Sequence, residues 1–188
     1  MLTHTAATAA KAARFFSTTR AAATDVVIVS AARTPICSFN GALSTMTAPQ
    51  LGSVAIKETL VRANLSPEEI DEVYMGNVVS AMVGQAPTKQ ATLGAGIPNT
   101  VPCTGINKVC ASGMKSVMMA AQSIMLGQQG IMLAGGFESM SKIPFYLARG
   151  SAGFGHGKIM DGIIHDGLWD PYDDQHMGNC AEDCAKRY

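Results

Sequence analysis

From residue 25 to residue 136, short apolar runs alternate with helix-length stretches closed by glycine, and nothing else in the chain constrains its fold as strongly. Residues 25–30, Asp-Val-Val-Ile-Val-Ser, are rich in β-branched side chains and read as a buried strand. Pro35 then pushes Thr34 out of helical space and ends the run. Residues 72–79, 101–106 and 131–136 read as three further strands. Between them, 49–63, 85–93 and 111–126 read as helices, the last two stopped by Gly94 and Gly127. Ser66-Pro67-Glu68-Glu69 carries a helix start: a capping Ser66, Pro67 at the first helical position, and acids at the positive helix end. Strands alternating with helices imply α/β layers.

The pattern changes near Ser141. Glycine, aromatic residues and methionine dominate from there, periodicity fades, and only 178–186 reads as a helix. Long irregular segments in compact proteins are mostly functional or disordered. The last residue, Tyr188, falls inside this region with no capping signal, so a longer polypeptide is expected.

Fourteen basic residues balance fourteen acidic ones. No basic patch or stripe suggests a nucleic-acid partner. No apolar window reaches the roughly 18 residues of a membrane-spanning helix, so no membrane partner is expected. The five cysteines, at 37, 103, 110, 180 and 184, are odd in number and lack the pairing of a secreted disulfide scaffold. Free thiols in a reducing compartment follow. Residues 1–24 hold Lys11, Arg14 and Arg20 with no acid among many Ala, Ser and Thr, which predicts a mitochondrial transit peptide. Arg14-Phe15-Phe16-Ser17 suggests cleavage before Ser17.

Cys110 is the candidate centre of chemistry. It stands between a strand and the helix predicted at 111–126, where free N–H groups and the positive helix end favour a thiolate. Ala111, Ser112 and Gly113 leave room for a substrate, and the Cys110 N–H is placed to donate to an oxyanion. The residues alone equally admit a small buried hydrophobe, the usual fate of a free cysteine. Cys103, after Pro102, reads as core; Cys37 sits in a loop, either exposed or packed. His176, Cys180 and Cys184 share a helical spacing, but without a fourth ligand they make a weak metal motif. No dinucleotide fingerprint, phosphate loop or Gly-x-Ser-x-Gly elbow is found.

Asn107-Lys108-Val109-Cys110-Ala111-Ser112-Gly113-Met114-Lys115 resembles the active-cysteine signature of thiolases. Ala32-Arg33-Thr34-Pro35, Gly84-Gln85-Ala86-Pro87, Gly135-Gly136-Phe137-Glu138-Ser139-Met140-Ser141 and His176-Met177-Gly178 resemble other landmarks of that family, in order. Cys103-Thr104-Gly105-Ile106 and the N-terminal stretch are similar to its mitochondrial, short-chain members.

The resemblance implies an α/β layered fold with a mixed five-stranded sheet covered by helices and part of an inserted loop domain. It implies a transit peptide over 1–24, an incomplete N-terminal domain over 25–140 and a partial loop domain over 141–188. It further implies reversible thiolysis of acetoacetyl-CoA or 2-methylacetoacetyl-CoA through an acyl-Cys110 intermediate, in ketone-body and isoleucine metabolism of the mitochondrial matrix. Coenzyme A would be substrate and the complete enzyme a homotetramer. Tyr172 would contact CoA and a potassium ion; His176 and Met177 would line the pantetheine tunnel.

Two departures accompany it. Cys37 stands where the family's Arg-Thr-Pro-Ile-Gly loop has glycine, and neither the Gly-His-Pro histidine nor the Cys-x-Gly-Gly cysteine occurs in these 188 residues. The family uses the first to activate the nucleophile and the second to move a proton, so this chain alone is expected to be inactive. A non-catalytic product that pairs with complete subunits is the alternative. The Cys110 signature disfavours a ketoacyl synthase.

Overall fold

The computed structural model describes residues 25–150 and 153–188; the expected transit peptide lies outside them. The first helix, α1, spans Ala48–Ala63 and opens on a reciprocal cap. The Thr47 hydroxyl accepts from the Gln50 N–H at 3.4 Å while the Gln50 side chain accepts from the Thr47 N–H at 2.8 Å. Asn64 stops the helix in the left-handed region, at φ 54°. The helix start predicted at Ser66 is a single 3₁₀ turn, Pro67–Glu69, in which the Glu69 carboxylate reaches back to accept from the Ser66 N–H at 2.7 Å.

Strand β1 spans Glu72–Gly76, helix α2 Pro87–Gly94, strand β2 Cys103–Ile106, helix α3 Ser112–Met125 and strand β3 Met132–Gly136. The strands form one parallel sheet with β1 central, Val73 pairing with Cys103 on one side and Leu133 on the other. β1 is shorter than the 72–79 run because the Val78 and Val79 N–H groups turn to the Glu138 carboxylate. β2 starts after Pro102, which has no N–H to give the ladder.

The pleat sorts the layers. Val73 and Met75 of β1 point into a core built with Ile56 and Leu60 of α1, Ala91 of α2 and Leu133 of β3. Val73 and Ala91 are 0% exposed, so α1 and α2 cover this face completely at its centre. Cys103, expected in the core, is partly buried and packs against its edge. The opposite side of β1 meets α3. A Cβ on Gly76 would lie 2.5 Å from the Ser112 carbonyl carbon and 2.6 Å from the Gly113 nitrogen, so only glycine lets this helix start approach the sheet. The Ser116 hydroxyl fastens the contact, bridging the Gly113 and Gly135 carbonyls at 2.6 and 2.7 Å. The outward side of α3 stays apolar and open, with Met114 69% and Met118 50% exposed.

The α/β layering agrees with the sequence; the sheet differs from the five mixed strands expected. It has three strands, all parallel, among the described residues. Residues 25–30 form no strand there, with Val27, Ile28 and Val29 exposed by 74, 81 and 69%. A strand exists only where a neighbour takes its N–H and C=O groups, and among the described residues none pairs with this segment.

Past Ser141 the chain forms small elements that the sequence did not reveal. Strands β4 (Phe145–Leu147) and β5 (Ile159–Asp161) pair antiparallel, a π-helical stretch covers Ile163–Leu168, and β6 (Trp169–Asp170) pairs with β7 (Gln175–His176). Helix α4, Met177–Arg187, matches the helix expected at 178–186. No described helix is long and apolar enough to cross a membrane.

Candidate active site

Cys110 lies in a tight turn between β2 and α3, and it is exposed. Two side chains and one strained residue shape that turn. The Asn107 side-chain oxygen, Oδ1, accepts from the Val109 N–H at 3.0 Å. Val109 sits at φ 49°, a left-handed conformation costly for a β-branched side chain. Ser112, only 3% exposed, holds the far side: its hydroxyl accepts from the Lys108 N–H at 2.8 Å and donates to the Val109 carbonyl at 2.5 Å. The Ala111 and Ser112 N–H groups close the turn on the Lys108 and Val109 carbonyls. Among the described residues nothing accepts from the Cys110 N–H, which leaves a donor at the helix start beside the sulfur. The buried-hydrophobe reading of Cys110 therefore gives way to an exposed thiol in a braced turn.

The thiol lines a cleft of about 1160 Å³, somewhat larger than the volume usual for small-molecule sites. Its walls include the Ala32-Arg33-Thr34-Pro35 motif, the Asn77-Val78-Val79 turn and Glu138, with Gly167 and Leu168 contributed by the later segment. Cys37 is exposed and lines the same cleft. Tyr172, His176 and Met177 do not line it. Tyr172 is 94% exposed, in a turn where Asp170 accepts from its N–H at 2.9 Å. His176 uses Nδ1 to cap α4, accepting from the Gly178 N–H at 2.9 Å, and Met177 begins that helix.

Glu138 is the feature that sequence reasoning passed over as a site residue. It lies two residues past β3 and its carboxylate reaches the residues just past β1. One oxygen accepts from the Asn77 amide at 2.9 Å, the other from the Val78 N–H at 2.8 Å and the Val79 N–H at 3.3 Å. Burial pushes its pKa above the usual carboxylate value, and these donors offset the rise only in part. Asn77 also donates to the Phe137 carbonyl at 3.3 Å, and its own buried carbonyl oxygen has no partner among the described residues. The available signal was an acid two residues past an apolar strand, in a chain with only 15% charged residues.

A layered α/β fold with a braced, exposed thiol at the start of a helix defines a class of protein that can present cysteine to a ligand. The family is narrower. Residues 26–188 match the model of the thiolase N-terminal domain, and the chain belongs to the thiolases, an acyltransferase family. It is 56% identical over 163 residues to the mitochondrial acetyl-CoA acetyltransferase of Rattus norvegicus, covering 87% of this chain and 38% of that protein. The corresponding protein of Danio rerio is 58% identical over 168 residues, covering 89% and 40%. Acetyl-CoA acetyltransferase 2 of Arabidopsis thaliana is 57% identical over 166 residues, covering 87% and 41%. Among solved structures, the Acat5 thiolase of Ascaris suum in complex with coenzyme A superposes with a TM-score of 0.85 at 44% identity. That match covers 88% of this chain and 43% of the other. The chain thus spans about two fifths of the length of these relatives.

Proposed function

We propose that Cys110 is the acyl-accepting nucleophile of an acetyl-CoA C-acetyltransferase. The observation that carries this reading is the exposed thiol in its braced turn, lining a ligand-sized cleft. The Cys110 sulfur attacks the ketone carbon of acetoacetyl-CoA or 2-methylacetoacetyl-CoA, with the Cys110 N–H donating to the oxygen that gains charge. The bond between that carbon and the α-carbon breaks. The departing enolate takes a proton and leaves as acetyl-CoA or propionyl-CoA, while acetyl remains on Cys110. A second CoA thiol then takes the acetyl group, and in reverse two acetyl-CoA molecules condense.

The names of the relatives and the CoA bound by the Ascaris thiolase support this substrate class. Roles in ketone-body and isoleucine metabolism, a transit peptide over 1–24, a matrix location and a homotetrameric complete enzyme belong to the same proposal. So do the domain limits 25–140 and 141–188, and contacts of Tyr172, His176 and Met177 with the CoA chain. Potassium is kept apart. Asp170 already takes two N–H donors, Asp174 takes the Trp169 indole, and Tyr172 stands in solvent, so this turn makes no enclosed oxygen cage among the described residues. The residues present do not fit the ion, and no step runs through it.

The 188 residues lack the Gly-His-Pro histidine and the Cys-x-Gly-Gly cysteine, and the chain alone is expected to give negligible thiolysis. An acetoacetyl-CoA cleavage assay on the purified chain tests this, and normal turnover would overturn it. The exposed apolar residues of 25–30 and of α3 favour a second reading, a non-catalytic product that associates with complete thiolase subunits. Co-expression followed by size-exclusion chromatography decides it: a stable mixed oligomer supports association, and aggregation of the chain by itself opposes it.

A further inference from the structure

Glu138 and the Cys110 turn come from distant parts of the sequence, yet an unbroken series of hydrogen bonds joins them. The Glu138 carboxylate fixes the residues just past β1 by accepting from Asn77, Val78 and Val79. The Val78 carbonyl, oriented by that grip, accepts from the Asn107 side-chain amide at 3.1 Å. The same Asn107 accepts, through its side-chain oxygen Oδ1, from the Val109 N–H at 3.0 Å. Val109 is the residue held at φ 49°, immediately before Cys110. Left-handed valine persists only where its surroundings impose it, and among the described residues its N–H has this one restraint.

We infer that Glu138 is the positioning residue for Cys110, acting through the Val78 carbonyl and the Asn107 amide on the strained Val109 turn. This deepens the reading of Cys110 as nucleophile and rests on it. Glu138 need not touch substrate. Its carboxylate is suited to the task because one acid collects three donors from a single turn, which a neutral amide cannot reproduce: Gln offers one acceptor oxygen in place of two. The burial of the group strengthens each of those bonds and makes their loss costly.

The experiment uses the 188-residue chain and measures iodoacetamide alkylation of each cysteine by peptide mass spectrometry, with exposed Cys184 on α4 as internal reference. In E138Q the Cys110 rate falls about fivefold or more, the factor corresponding to one net hydrogen bond, while Cys184 is unchanged. Hydrogen exchange at the Val109 amide accelerates in parallel. Glu138→Asp, which keeps the charge and shortens the reach, moves the rate in the same direction by less. Asn107→Asp keeps the acceptor for Val109 but has no N–H for Val78, so it severs the link with Glu138 left in place. N107D alone lowers the Cys110 rate, and adding E138Q to it changes that rate no further. A Cys110 rate untouched by N107D, additive effects in the double variant, or equal changes at Cys110 and Cys184 would each overturn the inference. The nucleophile reading fails separately, if unsubstituted Cys110 reacts no faster than Cys184. Should Cys110 react fast and E138Q leave it fast, only the positioning role is lost.

Discussion

Replacing Gly76 by alanine tests how the sheet positions the helix that follows Cys110. The added Cβ would lie 2.5, 2.6 and 2.7 Å from the Ser112 carbonyl carbon, the Gly113 nitrogen and the Ser112 Cβ. Two of these are backbone atoms, so no rotamer change relieves the overlap. The start of α3 must retreat by about 1 Å to restore ordinary packing distances of roughly 3.5–4 Å. Overpacking of this kind costs about 1–3 kcal/mol, and a rigid backbone neighbour places it at the upper end. The retreat also stretches the buried Ser116 bond to the Gly135 carbonyl, now 2.7 Å, at about 1 kcal/mol more. The sum is about 3–4 kcal/mol, or a fall in Tm of roughly 6–16 °C for a chain of this size. Gly113→Ala is the matched control, because its Cβ meets nothing nearer than the Gly135 carbonyl oxygen at 3.7 Å. That variant should be neutral or slightly stabilising through higher helix propensity. Urea unfolding of both variants measures the difference. If G76A lies within about 1 kcal/mol of G113A, close packing of β1 on α3 is not what fixes this helix start.

Two further outcomes concern charge. The Asp71 carboxylate accepts from the Gly130 and Ile131 N–H groups, both at 2.8 Å, and the Ile131 and Gly130 bonds hold its pKa below the ordinary 3.8. A lowered folded-state pKa stabilises the fold above the unfolded value and is lost as pH falls through the folded one. D71N should therefore cost about 1 kcal/mol at neutral pH, discounted for solvent exposure, and its deficit should fade in urea titrations below pH 3.8. A deficit independent of pH would contradict this. The Tyr146 hydroxyl donates to Asp166 at 2.7 Å, and burial, that bond and the charges of Asp166, Asp161 and Glu138 push its pKa up to about 12. Tyrosinate absorbance should be the same for the parent chain and Y146F as they titrate through pH 10, and a missing step there in Y146F would refute the assignment.

The elements easiest to read were those with local chemistry. α1 declared itself by its apolar spacing, α3 by its composition and its stop at Gly127, and the strand at Met132–Gly136 by its apolar run. Residues 25–30 had every local mark of a strand yet remain unpaired among the described residues, because pairing is a property of the neighbour and not of the run. β4 to β7 are two or three residues long, too short for any period to register. Cys110 was legible through its place before a helix and its flanking residues. Glu138 was not, since its effect depends on contacts about 60 positions away in sequence, with Asn77, Val78 and Val79.

Acyl acceptance by Cys110 can be read from a single-turnover label. The chain is incubated with acetyl-CoA, quenched in acid, digested and read by mass spectrometry for a hydroxylamine-sensitive acetyl group on each cysteine. Transfer needs only attack by the Cys110 thiolate on the thioester carbon and departure of CoA as its thiol, so it does not require the turnover machinery. Acetyl is expected on Cys110 and on no other cysteine, and it is lost in C110S. A folded chain whose acetyl group appears on Cys37, Cys180 or Cys184 instead, or not at all, would contradict that expectation.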